Sequence, residues 1–280
     1  LSLAPLSTDA APKKAALAIA TAQKKTIDSP LEARIESRIK SLKKEGKLFP
    51  SDRTAFSVYY FNDDKKLVSI NEEAPMQSAS ISKTLVALAH LHQVSDGTAK
   101  YTARHRRHME RMIQKSDNVS TNYIMQEIGG PAKIQRILKQ NYGQILRQTS
   151  ITDYIPLTKK EQARAKREGL NVPSGKSYYS NHSSARDYSR FLYALWNERL
   201  PYHKELSRIM GLKKRNRIST GVPIPKVLEV YSKTGTTGRL CGDMGIIVAQ
   251  DSKGNEHVYT VIGILERKNK AENYEGWKRG

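Results

Sequence analysis

Ser78-Ala79-Ser80-Ile81-Ser82-Lys83 runs directly into Thr84-Leu85-Val86-Ala87-Leu88-Ala89-His90-Leu91, a set of helix formers without Gly or Pro. A strand-like segment precedes it, so the spacing predicts a turn from strand into apolar helix, with Ser80 at the first helical position. A serine there and a lysine three residues later lie on one helix face, one turn apart. An amine then stands within reach of a hydroxyl, as a Ser-Lys nucleophile pair requires. The same spacing recurs at Ser37/Lys40 and Ser41/Lys44. Those two fall inside an amphipathic pattern of Leu31, Ile35, Ile39 and Leu42, opened by Ser29-Pro30 and closed by Gly46. Nothing there indicates a cleft or apolar shielding, so Ser80 and Lys83 stand alone as candidates.

Working outward, Ala55-Phe56-Ser57-Val58-Tyr59-Tyr60-Phe61 and Lys66-Leu67-Val68-Ser69-Ile70 read as strands. Asn62-Asp63-Asp64-Lys65 joins them into a hairpin. From Lys83 to about Arg217 the pattern is helix and loop. A short helix carries Met109, Met112 and Ile113, another covers 120–127 and ends at Gly129-Gly130, and a third starts at Pro131. Residues 149–181 read as a long polar loop with a helical piece at 159–167, and loops of that length in a compact fold usually serve a function or are disordered. A strong helix resumes at Ser184 and runs to Pro201. After Pro223 and Pro225 the period becomes two, with strands expected over 227–233, 244–249 and 257–265. Two strands, a helical insertion and three strands predict an α+β fold: a five-stranded antiparallel sheet flanked by helices, with an inserted all-helical domain. The expected division is an amino-terminal arm over 1–28, an α/β domain from 29–76 with 219–280, and a helical domain over 77–218.

Composition narrows the class. Of the 280 residues 38% are hydrophobic, and 48 basic side chains against 27 acidic ones give a net charge of +21. Mean hydropathy is -0.62, as for a soluble protein with a modest core. No apolar run approaches the ~18 residues of a membrane span. The chain opens on Leu1 without a Met, so a leader is expected to have been removed. The single Cys241 excludes an internal disulfide and reads as a small filler near a strand. The charge suits an anionic cell-envelope polymer, but Lys and Arg are scattered end to end without the aromatic interleaving of single-strand binders, so no specific nucleic acid is expected. His105 and His108 lack metal-ligand spacing and are expected at the surface; no metal or cofactor is implied.

Three motifs stand in order: Ser80-Ile81-Ser82-Lys83, Ser116-Asp117-Asn118 and Lys233-Thr234-Gly235. Singly, each has an ordinary reading: the second is an N-cap cluster, the third a strand end. In this order, at a helix start, a helical loop and a sheet strand, they resemble the penicillin-recognising serine acyl-transferases, most closely the class A β-lactamases. Further likeness lies in Met112-Ile113, Thr121-Asn122, Gly129-Gly130-Pro131-Ala132, Ser183-Ser184-Ala185-Arg186-Asp187, Arg217-Ile218 and Gly221-Val222-Pro223. It covers roughly residues 30–266.

The resemblance implies roles. Ser80 attacks a carbonyl to form an acyl-enzyme, with Lys83 as base once burial and Lys233 lower its pKa. Ser116 relays a proton to the leaving nitrogen, and Asn118 offers its amide to the substrate side chain. Lys233 and Thr234 hold the carboxylate that β-lactams and peptidoglycan-derived D-Ala-D-Ala peptides share, while Gly235 lets the strand approach the substrate. The backbone N–H groups of Ser80 and Thr236 would form the oxyanion hole, where removing one donor costs about 2.7–4 kcal/mol. An extracytoplasmic location, periplasmic or secreted, goes with such substrates.

Departures from the pattern shape the expected activity. Arg167-Glu168-Gly169-Leu170-Asn171 keeps the Leu-Asn pair of the deacylation loop, but Arg167 takes the place of the base and Glu168 falls one residue out of register. Glu168 is the candidate base in its absence, and β-lactam hydrolysis is expected to be slow. The span from Ser80 to Ser116 is shorter than such enzymes carry, which implies an open cleft. Little sequence follows the last strand, so the amino-terminal arm is expected to take over the cover of a carboxy-terminal helix. Three readings follow: a weak β-lactamase, a penicillin-binding peptidase or esterase, and a non-catalytic protein using its basic surface.

Overall fold

Alternating β-branched and aromatic residues form the strands of a computed structural model that describes residues 29–220 and 226–271. The arm over 1–28, the Gly221-Val222-Pro223 likeness and the end of the chain lie outside the described residues. β1 (Arg53–Tyr60) and β2 (Lys65–Ile70) make the expected hairpin, with Asp64 in the left-handed region at φ 49°. β5 (Lys226–Thr236), β6 (Leu240–Gln250) and β7 (Glu256–Glu266) complete a five-stranded antiparallel sheet in the order β2-β1-β7-β6-β5. A two-residue ribbon, β3 (Met76–Gln77) with β4 (His182–Ser183), stands apart.

All three carboxy-terminal strands are longer than the sequence pattern predicts; β5 and β6 run on through Gly235 and Gly242, because strand glycines look like strand ends. They mark close approaches instead. A Cβ on Gly245 would lie 2.7 Å from Ile218 Cδ1, and one on Gly263 would lie 3.1 Å from the Phe56 ring.

Between β2 and β5 the chain is helical. α1 (Pro30–Lys44) precedes the sheet and contacts β2, where Glu32 accepts a hydrogen bond from the Ser69 amide at 2.5 Å. α2 (Lys83–Ser95) is buried along nearly its whole length, with α3 (Ala103–Gln114), α4 (Asn118–Ile128) and α5 (Pro131–Tyr142) packed around it. α6 (Lys159–Arg167) falls where the helical piece was expected and opens on a capping box between Thr158 and Glu161. α7 (Ala185–Trp196) packs on the sheet, and α8 (His203–Gly211), which was not separately foreseen, packs on β5.

His105 and His108 are buried, which corrects the surface expectation. His105 caps α3, bonds the Lys100 carbonyl at 2.8 Å and meets Glu127 at 3.1 Å, while His108 Nδ1 lies 3.0 Å from Ser120 Oγ. His90 of α2 packs edge-on to His105, with ring centroids 4.8 Å apart. The rings fill core volume that aliphatic residues occupy elsewhere. No helix of the described residues is long and apolar enough to cross a membrane.

Candidate active site

Ala79-Ser80-Ile81-Ser82 forms a short 3-10 turn, and the α-helix proper begins at Lys83. Ser80 thus sits just ahead of the helix rather than at its first position. The turn is tight, with Ala79 at φ 43°. Its place is fixed from across the cleft by β5: a Cβ on Gly235 would lie 2.7 Å from Ile81 Cγ1 and 3.2 Å from the Ile81 nitrogen. Only glycine lets strand and turn come so close. Ser80 remains partly exposed while Lys83 is fully buried.

The Ser116-Asp117-Asn118 segment turns the chain from α3 into α4. Asp117 is the N-cap of α4, accepts the Ser120 amide at 2.6 Å, and is paired with Arg164 at 2.6 Å. Ser116 takes a left-handed conformation, φ 56°, which costs a non-glycine residue roughly 1 kcal/mol. That turn aims its hydroxyl and carbonyl at the buried amines. Lys83 Nζ donates to the Ser116 carbonyl at 2.6 Å, to Asn118 Oδ1 at 2.8 Å and, weakly, to Ser116 Oγ at 3.4 Å. Lys233 Nζ donates to Ser116 Oγ at 3.1 Å and to the Thr234 carbonyl at 2.7 Å. One hydroxyl therefore bridges two lysines.

Burial dominates the electrostatics. It lowers Lys83 to about 7, against the opposing charges of Asp117 and Glu161. Lys233 falls well below its ordinary value through burial first and the charge of Lys83 second. Lys214 is lowered to about 8 by burial, with Asp243 opposing. Burial in turn raises Asp243. An amine near neutrality can accept a proton at physiological pH, which an ordinary lysine cannot do.

A cavity of about 320 Å³ opens over the cluster, lined by Ser80, Ser116, Asn118, Thr234, Thr236, Arg215 and Arg217. The residues of the three motifs are therefore at this cleft or directly behind it, whereas the deacylation-loop candidates are not. Glu168 ends α6, bonded to Arg111 at 3.2 and 3.3 Å, and does not line the cavity. Leu170 and Asn171 lie in a separate groove with Leu157 and Val172.

Sequence reasoning missed two groups. Glu161 accepts the Asn118 amide at 3.0 Å through Oε1, while Oε2 takes the Thr158 amide and hydroxyl at 2.8 and 2.9 Å. Its signal was the Thr-x-x-Glu capping box ahead of α6. The second is Arg215, which lines the cleft with Arg217, a residue named in the sequence only for its family likeness; Arg217 donates to Thr236 Oγ1 at 3.0 Å and the Gly242 carbonyl at 3.3 Å. Among the described residues, no group of three His, Cys, Asp or Glu is placed to hold a metal ion.

The fold has many solved counterparts. PBP-A, in a mutant solved as an acyl-enzyme complex with penicillin G, matches at 17% identity over 88% of this chain and 92% of that one, TM-score 0.62. A class A beta-lactamase representative from Bacteroides cellulosilyticus DSM 14838 matches at 17% identity over 88% and 93%, TM-score 0.60. TLA-1 extended-spectrum beta-lactamase matches at 16% over 88% and 94%, TM-score 0.62. At these identities the likeness is one of fold. No sequence among the curated proteins matches the chain. The model of the Beta-lactamase2 family, described as the beta-lactamase enzyme family, matches residues 34–109 and 100–275, nearly all of what the structure describes. On that match, and with a serine, two buried lysines and a bridging hydroxyl gathered at one cleft, the chain belongs to the beta-lactamase enzyme family and is a serine beta-lactamase-like hydrolase.

Proposed function

We propose that Ser80 forms an acyl-enzyme with carboxylate-bearing substrates of the β-lactam or D-Ala-D-Ala type, and that release of the acyl group is the slow step. The observation that carries this reading is the Lys83 amine, buried, lowered to about 7 and held on Ser116 and Asn118. Ser80 Oγ attacks the carbonyl carbon as Lys83 Nζ takes its proton. The carbon–nitrogen bond then breaks, and the proton passes through Ser116 Oγ to the leaving nitrogen. Lys233, Thr234 and Arg217 receive the carboxylate, and the Ser80 and Thr236 amides the oxyanion.

Slow release follows from the carboxylates. Glu168 is engaged by Arg111, and both oxygens of Glu161 are taken by Asn118 and Thr158. Neither lines the cleft, so among the described residues no carboxylate there is poised to activate water. An extracytoplasmic location goes with this substrate class.

The test is incubation with a fluorescent penicillin, followed by intact mass measurement over time. A long-lived adduct, lost in Ser80→Ala, is the expected result. Rapid return to the free mass would replace this reading with an efficient β-lactamase, and the absence of any adduct would refute acylation by this class altogether.

A further inference from the structure

The carboxamide of Asn118 has two unlike ends, and its orientation decides what it can offer a substrate. Its Oδ1 accepts from Lys83 Nζ at 2.8 Å, and its Nδ2 donates to Glu161 Oε1 at 3.0 Å. Lys83 alone does not fix that orientation. With the amine lowered to about 7, its uncharged form can accept a hydrogen bond as well as donate one, so either end of the carboxamide would suit it. A carboxylate accepts only, and therefore takes the nitrogen end. Glu161 is itself held in place: Thr158 donates its amide and hydroxyl to Oε2 at 2.8 and 2.9 Å, which turns Oε1 to Asn118.

The bond between Glu161 and Asn118 is not needed to fasten α6. Arg164 pairs with Asp117 at 2.6 Å, and Asn122 of α4 secures the loop on both sides of the helix. It donates to the Ile155 and Pro173 carbonyls at 2.7 and 2.8 Å and accepts the Ile155 amide at 2.9 Å. We propose that Glu161 is a positioning residue, which by orienting Asn118 makes the cleft select acyl substrates that bear a carbonyl in the side chain beside the reacting bond. This rests on the acylation reading above. One N–H of Asn118 Nδ2 goes to Glu161, which leaves the second for a carbonyl oxygen in the cavity that Asn118 lines. A flipped carboxamide would set its own oxygen against that carbonyl.

Benzylpenicillin and 6-aminopenicillanic acid test it, since they share ring system and carboxylate and the first alone has the side-chain carbonyl. The second-order rate of acylation of Ser80 by each is measured by intact mass at about pH 8, where Lys83 is mostly uncharged. Two variants separate reach from charge. Glu161→Gln keeps the chain length and an acceptor oxygen. Glu161→Asp keeps the charge and the capping chemistry of α6 but draws the carboxylate back by one methylene. The expected preference for benzylpenicillin falls about fivefold in Glu161→Asp, as for one lost hydrogen bond, and stays within about twofold of the unaltered protein in Glu161→Gln. An unchanged preference in Glu161→Asp, with both compounds slowed equally or not at all, would leave Glu161 a helix cap alone. A preference lost in Glu161→Gln would make its charge the operative property. Either result overturns the proposal and leaves acylation intact, whereas no adduct with either compound in the unaltered protein would overturn both.

Discussion

The pH dependence of acylation gives the sharpest check on the buried amine. An ordinary lysine, with pKa 10.5, has on the order of one amine in 3,000 uncharged at pH 7, whereas Lys83, lowered to about 7, has about half. If that amine takes the Ser80 proton, the acylation rate for a fluorescent penicillin rises about tenfold per pH unit below 7 and levels off above it. Stopped-flow measurement from pH 5 to 9, with a blank for spontaneous ring opening, yields the profile. The two charges that oppose burial supply a second handle. Asp117 anchors α4, so Glu161 is the one to neutralise: Glu161→Gln removes an anion that raises Lys83, and the inflection moves to lower pH. A flat profile, a rise that continues to pH 10, or an inflection that moves upward in Glu161→Gln would each refute the assignment of Lys83 as base.

Other outcomes follow from the same geometry. The unfolded chain keeps the Lys83 proton up to about 10.5 while the folded one releases it near 7, so this group makes stability rise with pH across that window. Lys83→Met is therefore expected to be more stable at pH 7, by about 2 kcal/mol after its lost hydrogen bonds, in chemical denaturation. His90, nearly fully buried and lowered to about 4 by burial, acts over a different range: stability falls as pH drops from 6.5 towards 4, by up to about 3 kcal/mol. His90→Leu should flatten that decline in urea titrations at pH 7 and 4.5. In Gly235→Ala the new methyl meets Ile81 at 2.7 Å, so the 3-10 turn is displaced and acylation falls by about a hundredfold, while thermal melting reads a loss of about 1–3 kcal/mol. Ser116→Gly is expected to melt above Ser116→Ala, by about 1 kcal/mol, because glycine accepts φ 56° without strain; both lose acylation with the bridging hydroxyl.

The architecture was legible because periodicity survives wherever one face is buried, as in β1 and β7. The three motifs were legible because their order along the chain is itself a constraint. What escaped the sequence has physical causes. Glycines at 235 and 242 hide strand continuity, since from sequence a close backbone approach looks like a turn. His105 and His108 sit among Arg104, Arg106, Arg107 and Arg111, so local polarity masked their burial on the inner face of α3. Glu161 escaped because alignment by the Leu170-Asn171 pair led to Glu168, whereas α6 turns a carboxylate seven residues earlier towards Asn118. Arg215 was silent, as a lone arginine carries no pattern.

The pairing of β1 with β7 has a consequence for how the chain is made. Arg53 and Glu266 face each other across the sheet, 213 residues apart. At ribosomal speeds of ~5–20 residues per second, the first hairpin waits roughly 10–40 s for its partner strand. A two-stranded hairpin is marginal alone, and closing so long a loop is slow. Through most of synthesis the β1–β2 edge is thus unsatisfied, exposed to chaperones and to neighbouring nascent chains. The same delay keeps the polypeptide threadable until its last strands emerge, an advantage for any protein handed across a membrane before it folds.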